Sequence, residues 1–280
     1  MRRFQHEGLS FHYREAGEGT PFVFQHGLSS DISQPFSLFQ PHRGFRLLAF
    51  DCRGHGKTCP FGDLAKISLA TFADDLRAFL DHADIDRAVI GGISMGAAVA
   101  LNFALRYPRR VRGLVLARPA WLEAPNPWNV EHFSQVTRLI REHGGPAGLA
   151  LYKATEAYQQ VLQASPAVAA TLAAQFEAPN GLQSAALVDR IINDRPQGDR
   201  NAWGKIRVPT LVLANQQDPV HPFEYGQALA EAIPDAWFRE IAPKSVSPQR
   251  HAVEMQRSLK EFLDAYFAGG ADENSVLDDF

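Results

Sequence analysis

Between Ala88 and Tyr107 the chain passes from an apolar run into a small-residue helix through Gly92-Ile93-Ser94-Met95-Gly96. A serine at such a strand-to-helix corner sits on a sharp turn, with its hydroxyl projecting above the sheet edge. Glycine is needed on both sides, because a Cβ at position 92 or 96 would collide with the neighbouring strand and helix. The helix behind the serine aims its free N–H groups at any negative charge that develops there. Ala88-Val89-Ile90 suits a buried strand, and Ala97 to Tyr107 reads as a buried helix stopped by Pro108. The segment predicts a nucleophilic Ser94; the plainer alternative is a helix-capping serine in a tight turn.

The rest of the chain alternates in the same way. Phe4 to Arg14 predicts two short antiparallel strands turning near Glu7-Gly8. Phe22–Gln25, Arg46–Phe50 and Val111–Ala117 predict further strands, and Leu69 to His82 predicts a helix with Leu69, Phe72, Leu76, Phe79 and Leu80 on one apolar face. Strands alternating with helices imply a parallel sheet covered on both faces. The alternation breaks at 121–205, where four helical stretches are expected: Val130–His143, Gly148–Gln163, Ala167–Glu177 and Leu182–Asn193. It resumes with a strand at Pro209–Ala214, a helix from about Pro222 to Ile233, a strand at Ala236–Ile241 and a last helix at Val253–Phe267. The expected organisation is α/β, with a core of residues 1–120 and 206–268, a helical insertion at 121–205 and a flexible acidic tail at 269–280.

The composition is that of a soluble globular protein, 45% hydrophobic and 21% charged. A net charge of −3 gives no reason to expect nucleic acid or an anionic membrane as partner. The start, Met1 to Glu7, lacks a signal-peptide core, and Cys52 and Cys59 are too few for a disulfide framework, so a cytoplasmic location is expected. Cys52, His55 and Cys59 supply at most three ligands, so no metal is expected. A homodimer is left open.

Together these motifs resemble the α/β-hydrolase fold family over about residues 1–268, in the family's order of nucleophile, acid and base. The resemblance implies a mostly parallel sheet with helices on both faces and a helical cap at 121–205. His26-Gly27 resembles the family's oxyanion loop, Asp51-Cys52-Arg53-Gly54-His55-Gly56 its turn after the fourth strand, and Leu213 to Asp218 its strand-then-acid segment. Gln249-Arg250-His251 stands just before the last helix, where the family places its histidine.

A serine hydroxyl needs a base within hydrogen-bond reach, and that base needs an orienting carboxylate. Asp218 is the expected acid, at the active edge of a parallel sheet, with Glu123 as the fallback. His251 is the expected base. His221 is the competitor, set aside because it lies only three residues after Asp218 and so close a carboxylate should not orient a base that also reaches Ser94. The oxyanion donors should be the backbone N–H groups of Leu28 and Met95. His26 should shape its loop, and Asp51 and Arg53 should hold theirs.

The expected function is hydrolysis of a carboxylic ester or lactone of a small to medium, largely apolar substrate through an acyl-enzyme, with no cofactor. The same triad also serves enol-lactonases, C–C hydrolases and amidases. A third reading is a non-catalytic binding protein on the same scaffold. The aspartate-nucleophile branches are disfavoured by a serine at 94. Two departures stand out: Ala242 to His251 lacks a Gly-His pair, and Leu28-Ser29-Ser30-Asp31 is not a glycine run, so bulky tertiary-alcohol esters are not expected as substrates.

Overall fold

Glu7 and Gly8 both take positive φ, 46° and 76°, the geometry of a two-residue hairpin turn that matches strand twist. The turn pairs β1 (Arg2–His6) antiparallel with β2 (Leu9–Gly17). The computed structural model describes residues 2–178 and 180–268, so the tail expected at 269–280 lies outside the described residues. β3 (Gly19–Gln25), α1 (Ser33–Leu38), β4 (Gly44–Phe50), α2 (Leu69–His82), β5 (Ala88–Ile93), α3 (Met95–Arg106) and β6 (Val111–Ala117) follow. After the insertion come β7 (Thr210–Ala214), α10 (Phe223–Ala232), β8 (Trp237–Glu240) and α11 (Pro248–Phe267).

The eight strands among the described residues form one sheet in the order β1-β2-β4-β3-β5-β6-β7-β8. Only the β1–β2 and β2–β4 pairs are antiparallel. The inner strands β3, β5, β6 and β7 read as near-continuous apolar runs because both of their faces are covered. One face packs α2, α3 and the insertion through residues such as Phe50, Phe72, Leu76 and Val99. The other packs α1 and α11 through Phe22, Phe24, Phe36, Leu259 and Phe262. The apolar stripe expected on α2 is the buried one, and its range is as expected. No described helix is long and apolar enough to cross a membrane.

Between β6 and β7 the chain forms α4 (Glu131–His143), α5 (Gly145–Lys153), α6 (Glu156–Ala164), α7 (Pro166–Ala174), α8 (Gly181–Ile192) and α9 (Arg200–Trp203). The helix expected over Gly148–Gln163 is two helices. The Thr155 hydroxyl accepts from Tyr158 N–H, so it caps α6 and ends the continuous pattern there. The last helix begins earlier than expected, at Pro248. The Ser247 hydroxyl caps it and Pro248 occupies its first turn, which are two favourable start signals in adjacent positions.

Both glycines of the corner are required by packing. A Cβ on Gly92 would lie 2.2 Å from the Gly96 carbonyl carbon, and one on Gly96 would lie 2.3 Å from the Gln25 oxygen. Both contacts are with backbone, which cannot rotate away. Gly96→Ala should therefore cost about 3 kcal/mol or more. A thermal melt is expected to fall by several degrees; an unchanged melting temperature would show that α3 can slide off the sheet without penalty.

Candidate active site

Ser94 takes φ 57° and ψ −115°, a conformation that side-chain-bearing residues rarely adopt. The strain is held by neighbours: Ser94 N–H donates to Ala117 O, and its carbonyl accepts from Ala97 and Ala98 N–H. The hydroxyl stands at the C-terminal edge of the sheet, where the next two strands also deliver side chains. Arg118 directly follows β6 and its N–H donates to Leu213 O, and β7 runs into the loop carrying Asp218 and His221.

That loop places an imidazole on the serine. His221 Nε2 lies 2.9 Å from Ser94 Oγ, and His221 Nδ1 lies 3.0 Å from Asp218 Oδ1. The same carboxylate oxygen accepts the backbone N–H of Val220 and of His221, each at 3.1 Å. The aspartate thus folds the turn on which the histidine rides. With Nδ1–H donated to Asp218, Nε2 is left to accept the Ser94 proton.

His251, the expected base, is not on Ser94. It falls in the first turn of α11, is buried, and its Nδ1 lies 2.8 Å from Ala242 O. It does not line the cavity that opens on Ser94. The helix start at Ser247-Pro248 pulls it into the helix, whereas the expectation left it on a free loop. Closeness of Asp218 to His221, taken as a reason to set His221 aside, is what orients its ring. Glu123, the fallback acid, is elsewhere: its carboxylate is half exposed and faces Arg200 at 3.9 Å.

Leu28 and Gly27 line the cavity, and Met95 begins α3, so its N–H has no carbonyl within its own helix. Among the described residues neither Leu28 nor Met95 N–H donates to a protein acceptor. Gly27 N–H is held by Gln34 Oε1 at 2.7 Å. His26 is fully buried. Its Nε2 accepts from Cys52 N–H at 3.0 Å, so its Nδ1 proton goes to Gly27 O at 2.8 Å. Burial pushes this imidazole down to about 4, which keeps it a neutral brace. Asp51 accepts from Ile32 and Lys57 N–H and from His12, and Arg53 forms a fork with Asp75. These contacts fasten loops, and neither Asp51 nor Arg53 lines the cavity over Ser94.

Two contributors were not singled out from the sequence. Arg118 Nε donates to Asp218 Oδ2 at 3.2 Å, and its Nη2 makes a second, shorter bond to the same oxygen. A charge closing a buried strand at the active edge is the signal that could have found it. Asn129, buried in the insertion, donates to Ala120 O and to Val220 O, tying the insertion to the loop of Asp218.

Burial alone would raise the Asp218 carboxyl, but His221 and Arg118 outweigh it and hold it below the usual carboxylate range. Burial pushes the His221 imidazole below its ordinary range; Asp218 pulls it back, while Arg118 and Lys244 push it further down. The cavity over Ser94 measures about 120 Å³. Its walls come from the core loops and from Val130, Phe133, Ser165, Val168 and Thr171 of the insertion. Among the described residues no cluster of three or more His, Cys, Asp or Glu is arranged to hold a metal ion.

The family described as the alpha/beta hydrolase fold matches this chain over residues 20–244. The chain is 26% identical to 3-oxoadipate enol-lactonase 2 of Acinetobacter baylyi over 260 residues, covering 83% of this chain and 86% of that one. It is 27% identical to a bifunctional esterase/perhydrolase of Acinetobacter calcoaceticus, covering 81% and 86%. Its fold matches that of the enol-lactonase from Burkholderia xenovorans LB400, with a TM-score of 0.70 at 24% identity, over 94% of this chain and 99% of that one.

The electrostatics set a pH dependence. His221 must be neutral to take a proton from Ser94, and its lowered pKa extends the neutral form toward acid. The rate at which a fluorophosphonate labels Ser94 should therefore rise through a limb centred below the ordinary histidine value of 6.5. Arg118→Met removes a positive charge beside the ring and should move that limb to higher pH. A limb unmoved by this substitution would mean that Arg118 does not act on the pair.

Proposed function

Because this chain belongs to the α/β-hydrolase fold family and is a hydrolase, we propose that it cleaves a carboxylic ester or lactone through an acyl-enzyme on Ser94. The observation that carries this reading is the relay Asp218–His221–Ser94, with the 2.9 Å contact between His221 Nε2 and Ser94 Oγ. His221 takes the Ser94 proton as the oxygen attacks the carbonyl. Asp218, ionised at neutral pH, holds the ring in the right tautomer and stabilises the imidazolium that forms.

The carbonyl oxygen becomes an oxyanion, which the backbone N–H groups of Leu28 and Met95 receive. Each such donor is worth about 3 kcal/mol of barrier. His221 then gives its proton to the departing alkoxide. In the second half, it takes a proton from water, which attacks the acyl group, and returns that proton to Ser94 Oγ as the acid departs. In a lactone the alkoxide is tethered and the product is a single hydroxy acid. No step calls for a cofactor.

The helices of residues 121–205 act as the cap. Ser29 Oγ donates to Gln175 Oε1 at 2.8 Å, seating this cap on the loop of Leu28. The cavity of about 120 Å³ is well below the roughly 300–1,000 Å³ typical of pockets for drug-sized ligands. The substrate acyl group is therefore small. The enol-lactonase and esterase relatives support the same bond class.

Purified protein should turn over 4-nitrophenyl acetate or butyrate, or an enol-lactone, with time-dependent loss of activity under a fluorophosphonate. Ser94→Ala should lose at least three orders of magnitude in kcat with little change in the thermal melt. Ester turnover by Ser94→Ala at the normal rate would refute the acyl-enzyme. Failure to cleave any ester or lactone would refute the bond class.

A further inference from the structure

The cavity over Ser94 is unusual in its charges. Three formally charged side chains line it: Arg118, Lys244 and Asp218. The one carboxylate is already committed, to His221 through Oδ1 and to Arg118 through Oδ2. The two cations are not both satisfied. Arg118 uses Nε and Nη2 on Asp218, while Nη1 makes no hydrogen bond among the described residues. Lys244 makes no hydrogen bond or ion pair among the described residues, although it lies close enough to Arg118 to feel its charge. Burial and that neighbouring guanidinium both push the Lys244 ammonium below its ordinary value.

A third donor lines the same cavity. Trp121 is 3% exposed, and its indole N–H has no acceptor among the described residues. A buried donor left without a partner costs free energy that a ligand oxygen would recover. Two cations held near one another, with no free carboxylate between them, likewise favour an arriving anion. The neighbouring loop is anchored, since Ser245 Oγ donates to Gln217 O at 3.3 Å.

We propose that the cavity is an anion-binding acyl pocket, selecting short acyl chains that end in a carboxylate, with Lys244 as counter-ion and Arg118 Nη1 and Trp121 Nε1 as donors. This rests on the ester-cleaving reading above. It refines the expectation of a largely apolar substrate: the Val130, Phe133 and Val168 walls take the methylenes, and the charged end of the acyl chain meets the cations. Lys244 is exposed, so its contribution is that of a screened pair, about fivefold in affinity.

The test compares 4-nitrophenyl hemiglutarate with 4-nitrophenyl valerate, which have acyl chains of equal length and differ in the terminal charge. The wild type should favour the hemiglutarate in kcat/KM by about fivefold or more, mainly through KM. Lys244→Met should bring the ratio close to one, and Lys244→Arg should restore it. Calorimetric titration with glutarate gives a second readout that needs no turnover: the wild type should bind it, and Lys244→Met should bind it about fivefold more weakly. A wild type that favours the valerate ester, or a ratio unchanged in Lys244→Met, overturns the proposal. If neither ester is cleaved, the titration alone decides the anion site: weaker glutarate binding by Lys244→Met supports it, equal binding or none overturns it; the ester-cleaving reading itself fails only if no other ester or lactone is cleaved either.

Discussion

The Asp218 carboxylate holds the site together. One of its oxygens accepts two backbone N–H groups of its own turn and the imidazole of His221, and the other accepts the guanidinium of Arg118. A carboxylate with these partners stays ionised, folds the turn that carries the imidazole, and fixes which ring nitrogen bears the proton. The contact of His221 Nε2 with Ser94 Oγ, on which the proposed mechanism rests, depends on this turn being closed. The arrangement is compact: Asp218 and His221 come from one loop, and the end of the neighbouring strand β6 supplies the Arg118 cation that steadies the carboxylate.

The sheet makes that convergence possible. Parallel pairing of β5, β6 and β7 brings the ends of three strands to one edge in register, Ile93 beside Ala117 and Ala117 beside Leu213. Each chain leaves that edge carrying a side chain the site uses: Ser94 from the first, Arg118 from the second, Asp218 and His221 from the third. Both Ser94 and Arg118 take positive φ as they leave, 57° and 47°. Strain in a non-glycine residue persists only where surroundings hold it, and here the cross-strand bonds Ser94 N–H to Ala117 O and Arg118 N–H to Leu213 O do so. The insertion closes the other side and is pinned to the active loops by Asn129 and by the Ser29–Gln175 contact.

Much of this was legible in the residues themselves. The α2 stripe, the hairpin at Glu7-Gly8 and the glycine-flanked serine each depend on local spacing or on backbone crowding, which a sequence displays directly. The partner of Ser94 does not. Whether Asp218 and His221 can share a hydrogen bond depends on the turn Gln217 to Pro222, and on Gln217 taking φ 56°; residue spacing alone made the pair look too close. The same holds in reverse for His251. The capping signal in Ser247-Pro248 was present, but it changes the meaning of His251 only once the helix start is moved ahead of it. Arg118 lay hidden in an apolar strand pattern, because a single charge at a strand end reads equally well as a loop residue.

The central claim is that His221, and not His251, activates Ser94. Ester hydrolysis by His221→Ala beside His251→Asn tests it most directly, since asparagine can keep the bond that His251 makes to Ala242 O. The account predicts that His221→Ala loses three or more orders of magnitude in kcat, while His251→Asn stays within a few-fold of the wild type with both variants folded. A folded His251→Asn that is inactive, beside a His221→Ala that still turns over ester, would contradict it.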